Sequence, residues 1–220
     1  MIVQIEKVLD EATVGGLAAQ LQGGAAQFQS GAQTAGWHAK HVKNNEQLAS
    51  LEARKTCEVV QAALIRNDVF KAVARPRDLT GMLVSRYGVG MEYGLHVDSP
   101  LMAGRRTDLS FTVFLSGPED YDGGELLIEG NDGTSTIKLA AGAAVVYPST
   151  TLHRVAQVTR GERLVVVGWV RSFIRSPEQR EILLDLDRSL KLLRDGGATR
   201  DIVDLTLKTR SNLMRMWIED

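Results

Sequence analysis

The chain has little of what would place a protein outside the cell. It has 220 residues and one cysteine, Cys57, so no disulfide can form within the chain. A single thiol is typical of a reducing cytoplasm, where we expect the protein to reside. The N-terminus lacks a basic start followed by a long apolar stretch, so no signal peptide is expected.

Long apolar runs and a large net charge are also missing. No run of about 18 apolar residues occurs, which excludes a predicted transmembrane helix. The formal net charge is -1, so the overall charge favours neither nucleic acid nor an anionic membrane as a partner. With 44% hydrophobic and 24% charged residues, the composition is that of a globular protein with one substantial core.

The middle of the chain is a series of short runs rich in β-branched residues, with turn signals between them. Such closely spaced runs predict an antiparallel jelly roll, with about eight strands in two four-stranded sheets. The predicted strands cover 82–87, 95–98, 109–116, 124–129, 135–139, 143–147, 153–158 and 163–170.

Helical patterns precede this β region. Alternating side chains over 2–8 predict a first strand, and Asp10 is a candidate N-cap for a short helix. Residues 22–36 are predicted as loop or frayed strand. Asn45 is a candidate N-cap for one long helix over 46–74, which ends before Pro76 because the residue before proline disfavours the α region.

Two further helices are predicted after the β region. Ser176 and Pro177 form an N-cap and first helical position, and Thr199 opens a second helix after Gly196 and Gly197. The apolar stripes of these helices predict packing on the barrel, a homodimer contact, or both. We therefore predict a mainly β protein with flanking helices, divided into an N-terminal segment (1–79), a double-stranded β-helix core (80–172) and a C-terminal helical tail (173–220).

The most informative motif is His96-Val97-Asp98, followed downstream by His153. Residues two apart on a strand point to the same face, so His96 and Asp98 can act together. A second histidine from another strand completes a 2-His-1-carboxylate triad, which holds ferrous iron and leaves coordination positions open. The alternative is a plain hydrogen bond between His96 and Asp98 or to loop backbone. The triad is the preferred interpretation because a jelly roll brings distant strands together at its mouth.

Two other histidines, His38 and His41, precede the barrel. Their spacing is close to one helical turn, but no carboxylate or thiolate accompanies them. Surface or core polar contacts are therefore expected for them, rather than a second metal site.

Arg163 lies ten residues after His153, at the start of an apolar strand. A charged residue on such a strand must be paired or exposed. Its planar fork suits a carboxylate, so we predict that Arg163 binds an acidic co-substrate beside the metal. Tyr87 is a candidate second ligand of that carboxylate. The alternatives are a solvent-facing arginine and a tyrosine that serves only the core.

Together these residues resemble a known family. The pattern Tyr87-Gly-Val-Gly-Met-Glu-Tyr-Gly-Leu-His-Val-Asp98 is similar to that of prolyl 4-hydroxylases. A wider set of segments resembles the bacterial PKHD-type hydroxylases, of the Fe(II)/2-oxoglutarate dioxygenase superfamily, and it covers nearly the whole chain. These segments lie at 34–37, 42–48, 108–116, 118–126, 147–149, 153–155 and 158–163.

The resemblance implies Fe(2+) at His96, Asp98 and His153, 2-oxoglutarate at Arg163, and O2 as the second co-substrate. It also implies ascorbate as a supporting reductant and, in some members, a link to iron uptake. The predicted activity is hydroxylation of an unidentified substrate, with decarboxylation of 2-oxoglutarate to succinate. Two alternatives stay open: a cupin-like metal-dependent isomerase, and a non-catalytic iron or 2-oxoglutarate sensor. The substrate could be a protein side chain, a free amino acid, a siderophore or a nucleobase.

Overall fold

A computed structural model describes residues 1–22, 27–34, 36, 39–48 and 50–219. The helices in these residues are α1 (Glu11–Gln22), α2 (Leu51–Arg66), α3 (Asp68–Ala74), α4 (Pro177–Asp195) and α5 (Arg200–Trp217), with short 3₁₀ turns at Gly31–Thr34 and Ala39–His41. The strands are β1 (Val3–Ile5), β2 (Phe28–Ser30), β3 (Lys43–Asn44), β4 (Glu46–Leu48), β5 (Pro76–Tyr87), β6 (Glu92–His96), β7 (Leu101–Met102), β8 (Arg105–Arg106), β9 (Leu109–Phe114), β10 (Tyr121–Gly123), β11 (Leu126–Gly130), β12 (Gly133–Ile137), β13 (Ala144–Pro148), β14 (His153–Val155), β15 (Val158–Gly161) and β16 (Arg163–Ser172).

Two antiparallel sheets form the body of the protein. The larger has the order β1-β13-β9-β16-β5-β4-β2, and the smaller has the order β12-β11-β14-β6-β3. Each contains four consecutive core strands, β13-β9-β16-β5 and β12-β11-β14-β6. These are the two four-stranded sheets that the sequence predicts, so the jelly-roll prediction is confirmed. β7–β8 and β10–β15 form two-stranded ribbons beside the sheets.

The two faces of the larger sheet bury different sets of side chains. Its outer face packs on the N-terminal helices through a cluster that includes Val60, Leu64, Phe70, Phe111 and Val166. Its inner face meets the smaller sheet through a second cluster, which includes Phe114, Tyr121, Ile128, Val145 and Val165. This alternation along each strand is what two packed sheets require, and it aims the inner side chains into the barrel.

The prediction of one helix over 46–74 with Asn45 as its N-cap is wrong. Residues 46–48 form β4, which pairs with β5 in the larger sheet. The helix begins later, because the Ser50 side chain accepts a hydrogen bond from the backbone N–H of Ala53. It is also interrupted at Asn67, an extended residue that ends α2 and caps α3. The predicted end before Pro76 is confirmed: Arg75 takes a left-handed conformation there, with φ of 45°.

The C-terminal tail forms the two predicted helices. Ser176 caps α4 by accepting a hydrogen bond from the Gln179 N–H, and Pro177 occupies the first turn. α4 packs against α3 and α5, and Asp187 of α4 forms ion pairs with both Arg75 and Arg210. The tail therefore packs on its own chain. No helix in the described ranges has the length and apolarity needed to cross a bilayer.

Candidate metal and co-substrate site

The three predicted metal ligands come together at one end of the barrel. His96 ends β6 and His153 begins β14, and the two residues are direct partners across this strand pair. The Asp98 carboxylate lies between them, 3.9 Å from His96 Nε2 and 3.8 Å from His153 Nε2. All three ligand atoms lie within 4.8 Å of one another. Strand pairing thus joins two residues, His96 and His153, that are 57 positions apart in the sequence.

Hydrogen bonds fix the orientation of each of these side chains. His96 Nδ1 is 2.9 Å from the Gly94 carbonyl oxygen, and His153 Nδ1 is 3.0 Å from that of Thr151. Because a carbonyl only accepts, each Nδ1 carries the proton and each Nε2 offers a lone pair to the centre. Ser110 Oγ donates to the second oxygen of Asp98. Such outer contacts hold metal ligands in place.

The surroundings keep His96 neutral. Burial and the neighbouring His153 lower the pKa of His96 to about 4, so its imidazole is an available ligand at neutral pH. The Tyr93 ring stacks on that of His96, with centroids 3.6 Å apart and planes within 14°. The Tyr147 ring meets His153 edge-on at 5.1 Å. Aromatic walls therefore exclude water from one side of both imidazoles.

Two neutral imidazoles and one carboxylate on a single face are the donor set of non-haem Fe(II) sites. Within the described residues, this is the one group of three or more His, Cys, Asp or Glu side chains placed to share an ion. His41 lies exposed on the second 3₁₀ turn, and His38 lies outside the described residues. The residues present therefore fit ferrous iron at His96, Asp98 and His153.

Arg163 is fully enclosed, with 1% of its surface exposed. It pairs with Tyr87 between β16 and β5. Its guanidinium carbon is 5.1 Å from the Tyr87 ring and 5.4 Å from the Phe114 ring. In the part of the chain that the structure describes, no carboxylate forms an ion pair with Arg163, and its Nε has no hydrogen-bond partner. A buried cation without an anion is costly, so this arginine fits the carboxylate of a ligand.

Two further residues shape the space around Arg163, and the sequence patterns did not indicate either of them. Tyr121 is completely buried, and the Arg163 charge partly offsets the increase that burial causes in its pKa. Gly124 has φ of 66°, and a Cβ there would lie 3.1 Å from Arg163 Cδ. A glycine at this turn is therefore required both for the backbone and for the room that the guanidinium occupies.

One cavity connects the triad to Arg163. It encloses about 470 Å³, and its walls include Tyr87, His96, Asp98, His153 and Arg163. Sequence reasoning missed several other residues of its wall, because they come from strands whose pairing is not visible in a local pattern. They are Lys43, Asn45, Gln47, Ser110, Tyr147 and Trp169.

A jelly roll with this triad, and with a buried arginine in the same cavity, defines the class of 2-oxoglutarate-dependent Fe(II) oxygenases. The model of the 2OG-Fe(II) oxygenase superfamily matches residues 82–171, which include every predicted site residue. That family uses Fe(2+), 2-oxoglutarate and O2.

Within that superfamily, the chain belongs to the PKHD-type hydroxylases. It is 52% identical to a PKHD-type hydroxylase of Maricaulis maris, over 100% of both chains. It is also 52% identical to one of Acaryochloris marina, over 88% of this chain and 90% of that protein. The resemblance to the PKHD-type hydroxylases that the sequence shows is confirmed, and the protein is a 2-oxoglutarate-dependent dioxygenase.

Solved structures agree on the fold. A prolyl-4-hydroxylase of Pseudomonas putida superposes with a TM-score of 0.58 at 22% identity, over 78% of this chain and 92% of that one. The viral collagen prolyl hydroxylase of Paramecium Bursaria Chlorella virus-1, in its 2OG complex, gives 0.52 at 18% identity, over 78% and 96%. At these identities the likeness concerns the fold alone.

Proposed function

We propose that His96, Asp98 and His153 bind Fe(II), and that Arg163 binds the distal carboxylate of 2-oxoglutarate with Tyr87 beside it. The observation that carries the proposal is that the triad and a buried arginine without an acidic partner line the same cavity. The reaction would convert R–H, 2-oxoglutarate and O2 into R–OH, succinate and CO2. Family membership favours this over a cupin-like isomerase.

The chain's own residues orient the reactants and exclude water. When bound, ferrous iron supplies the redox chemistry that dioxygen needs. The carbonyls behind His96 and His153 direct both Nε2 lone pairs inward, and Ser110 holds the carboxylate of Asp98. The Arg163 fork offers two parallel N–H donors, which fix the direction of a carboxylate as well as its position.

The finer parts of the prediction belong to the same proposal. Ascorbate would act as the supporting reductant, as the resemblance implies, and the single thiol fits a reducing cytoplasm.

α5 exposes Ile202, Leu205 and Met216, which supports a homodimer through the C-terminal helices. Sedimentation of the purified protein tests this proposal. No described side chain carries the implied link to iron homeostasis, so that link stays a prediction.

Asp98→Ala tests the metal assignment. The variant should lose Fe(II), the visible charge-transfer band of chelated 2-oxoglutarate under anaerobic conditions, and O2-dependent succinate formation. Asp122→Ala is the matched control, because Asp122 pairs with Arg160 on the exposed surface, and it should retain all three. Turnover of 2-oxoglutarate by Asp98→Ala would contradict the triad. A wild-type protein that binds 2-oxoglutarate without turnover over a broad substrate panel would instead indicate a sensor.

A further inference from the structure

An extended segment of the N-terminal region forms a further wall of the cavity. β3 pairs with β6 of the smaller sheet, and β4 pairs with β5 of the larger sheet. The chain over 43–47 therefore bridges the two sheets. Its alternate residues Lys43, Asn45 and Gln47 line the cavity, as the period of a strand requires.

Lys43 places a cation close to the triad. Its Nζ lies 5.1 Å from the centre of the Tyr93 ring, which stacks in turn on His96. Nζ donates a hydrogen bond of 2.9 Å to Thr34 Oγ1, and Thr34 donates to Gln47 at 2.6 Å. These neutral contacts hold the ammonium in position. No carboxylate of a described residue lies within ion-pair distance of it.

A charge balance of the cavity with Fe(II) and 2-oxoglutarate bound leaves one positive charge without a counter-charge. Among the described lining residues, the charged side chains other than the histidines are Lys43, Asp98 and Arg163. Fe(II) with Asp98 carries one positive charge, and Arg163 and Lys43 add one each. The two carboxylates of 2-oxoglutarate balance two of these three charges. One positive charge is left, and it is on Lys43, because Arg163 holds the distal carboxylate.

Two neutral polar groups of the cavity lining add to this evidence, Asn45 on the segment over 43–47 and Trp169 on β16. Asn45 is 4% exposed, and its amide makes no well-formed hydrogen bond to a described residue, although it lies close enough to the Tyr87 hydroxyl to lower the pKa of that group. The indole N–H of Trp169 is buried and unpartnered as well. Buried polar groups normally form hydrogen bonds, so the indole N–H is suited to donate one to a ligand in the cavity. The unmatched cation and the indole donor together favour a ligand that is rich in acceptors.

We propose that the primary substrate carries a carboxylate, which Lys43 binds beside the metal site. This inference rests on the proposed function, since it takes Arg163 and the metal as occupied. Among the substrate classes that the sequence leaves open, it favours a carboxylate-bearing molecule, such as a free amino acid, over a neutral nucleobase.

The test measures binding and not turnover. Wild-type protein loaded anaerobically with Fe(II) and 2-oxoglutarate is titrated with matched acids and amides: propionate and propionamide, benzoate and benzamide, N-acetylalanine and N-acetylalaninamide. The readout is the change in the charge-transfer band. Because a hydrogen bond to a charged group contributes about 1.5–3 kcal/mol, each acid should bind at least about tenfold more tightly than its amide.

Variants assign this preference to one side chain. Lys43→Met should abolish the discrimination and Lys43→Arg should keep it. Lys40→Met is the matched control, because Lys40 is exposed and does not line the cavity, and it should behave as wild type. The Lys43→Met protein should still develop the band, which shows that it is folded and loaded.

Each other result overturns the inference. Equal binding of acids and amides by the wild type, or no binding of either, removes the carboxylate site. An undiminished acid preference in Lys43→Met excludes Lys43. If Lys43→Met instead loses affinity for 2-oxoglutarate, the carboxylate that Lys43 binds belongs to the co-substrate. If the wild type develops no band at all, the proposed function fails before this inference is reached.

Discussion

Replacement of Arg163 by methionine should separate ligand binding from stability. In the free protein, the guanidinium is 1% exposed and its charge has no carboxylate partner among the described residues. Methionine fills similar apolar space without the cost of an unpaired buried charge. We therefore expect Arg163→Met to unfold at the wild-type temperature or above it, although most substitutions of buried residues destabilise.

The effect on 2-oxoglutarate should be large. Two charge-assisted hydrogen bonds from the arginine fork, taken at about 1.5 kcal/mol each, amount to about 3 kcal/mol, or roughly a 100-fold weaker Kd. At a concentration of 100 times the wild-type Kd, the ligand stabilises the wild type by about 2.7 kcal/mol. For a chain of this size, that raises Tm by about 5–10 °C. The variant should gain only about 1 °C at the same concentration.

The assay is thermal unfolding of the anaerobic Fe(II) protein with and without 2-oxoglutarate, together with titration of the charge-transfer band. Arg160→Met is the control, since Arg160 lies on the neighbouring β15 and pairs with Asp122 at the exposed surface. A free Arg163→Met protein that unfolds several degrees lower would show that the arginine is structural. An unchanged 2-oxoglutarate shift would show that the co-substrate binds elsewhere. Either result refutes the reasoning.

Three further substitutions test the supports of the site and of the tail. Ser110→Ala removes the donor to Asp98 and should weaken Fe(II) binding about tenfold in competition with a chelator, as losses of outer contacts do; unchanged affinity would mean that the carboxylate is held without it. Lys43→Met should raise the Tm of the metal-free protein at pH 7. Burial lowers the pKa of Lys43 to about 8, below its value in the unfolded chain, so the wild type gains stability as the pH rises from about 8 to 10.5. The difference in Tm between Lys43→Met and the wild type should therefore shrink over that range. A difference in Tm that does not depend on pH would contradict this. Asp187→Ala leaves two arginines without their partner and should cost about 2 kcal/mol in denaturant unfolding, clearly more than Asp185→Ala at an exposed pair.

The candidate site residues that the sequence predicts share one property: each is unusual in its local context. His96 and Asp98 stand two apart at the end of a strand, and Arg163 opens a run of apolar residues. Burial of a polar or charged side chain costs free energy unless the group is paired. Such a side chain on a strand with an otherwise apolar pattern therefore stands out in the sequence alone. The strand pattern also located the eight core strands, because alternation with a period of two is a local signal.

The residues that the sequence missed depend on pairing between distant segments. Asn45 and Glu46 resemble the start of a helix, yet β4 pairs with β5, some 40 residues further on. Tertiary pairing overrides a local capping preference in such cases. A cap at residue 45 would begin a helix there, whereas in the structure Lys43 and Asn45 are alternating positions on a cavity wall. That wall exists only because β3 pairs with one sheet and β4 with the other, and no local pattern in the sequence encodes this pairing.

The different burial of the two cations that line the cavity indicates the order in which ligands enter it. Arg163 is fully enclosed, whereas Lys43 is only half-buried, so under the two proposals the carboxylate of 2-oxoglutarate enters before a ligand at Lys43 closes the way. Each buried polar atom of the wall that has no partner among the described residues costs stability in the ligand-free protein, about 1–3 kcal/mol. Without ligands these groups therefore oppose folding, and an anion bound at either cation should restore stability. By the same reasoning, a carboxylate-bearing primary substrate should raise the unfolding temperature of the Fe(II) protein whether or not 2-oxoglutarate is bound, but when added first it should slow the appearance of the charge-transfer band.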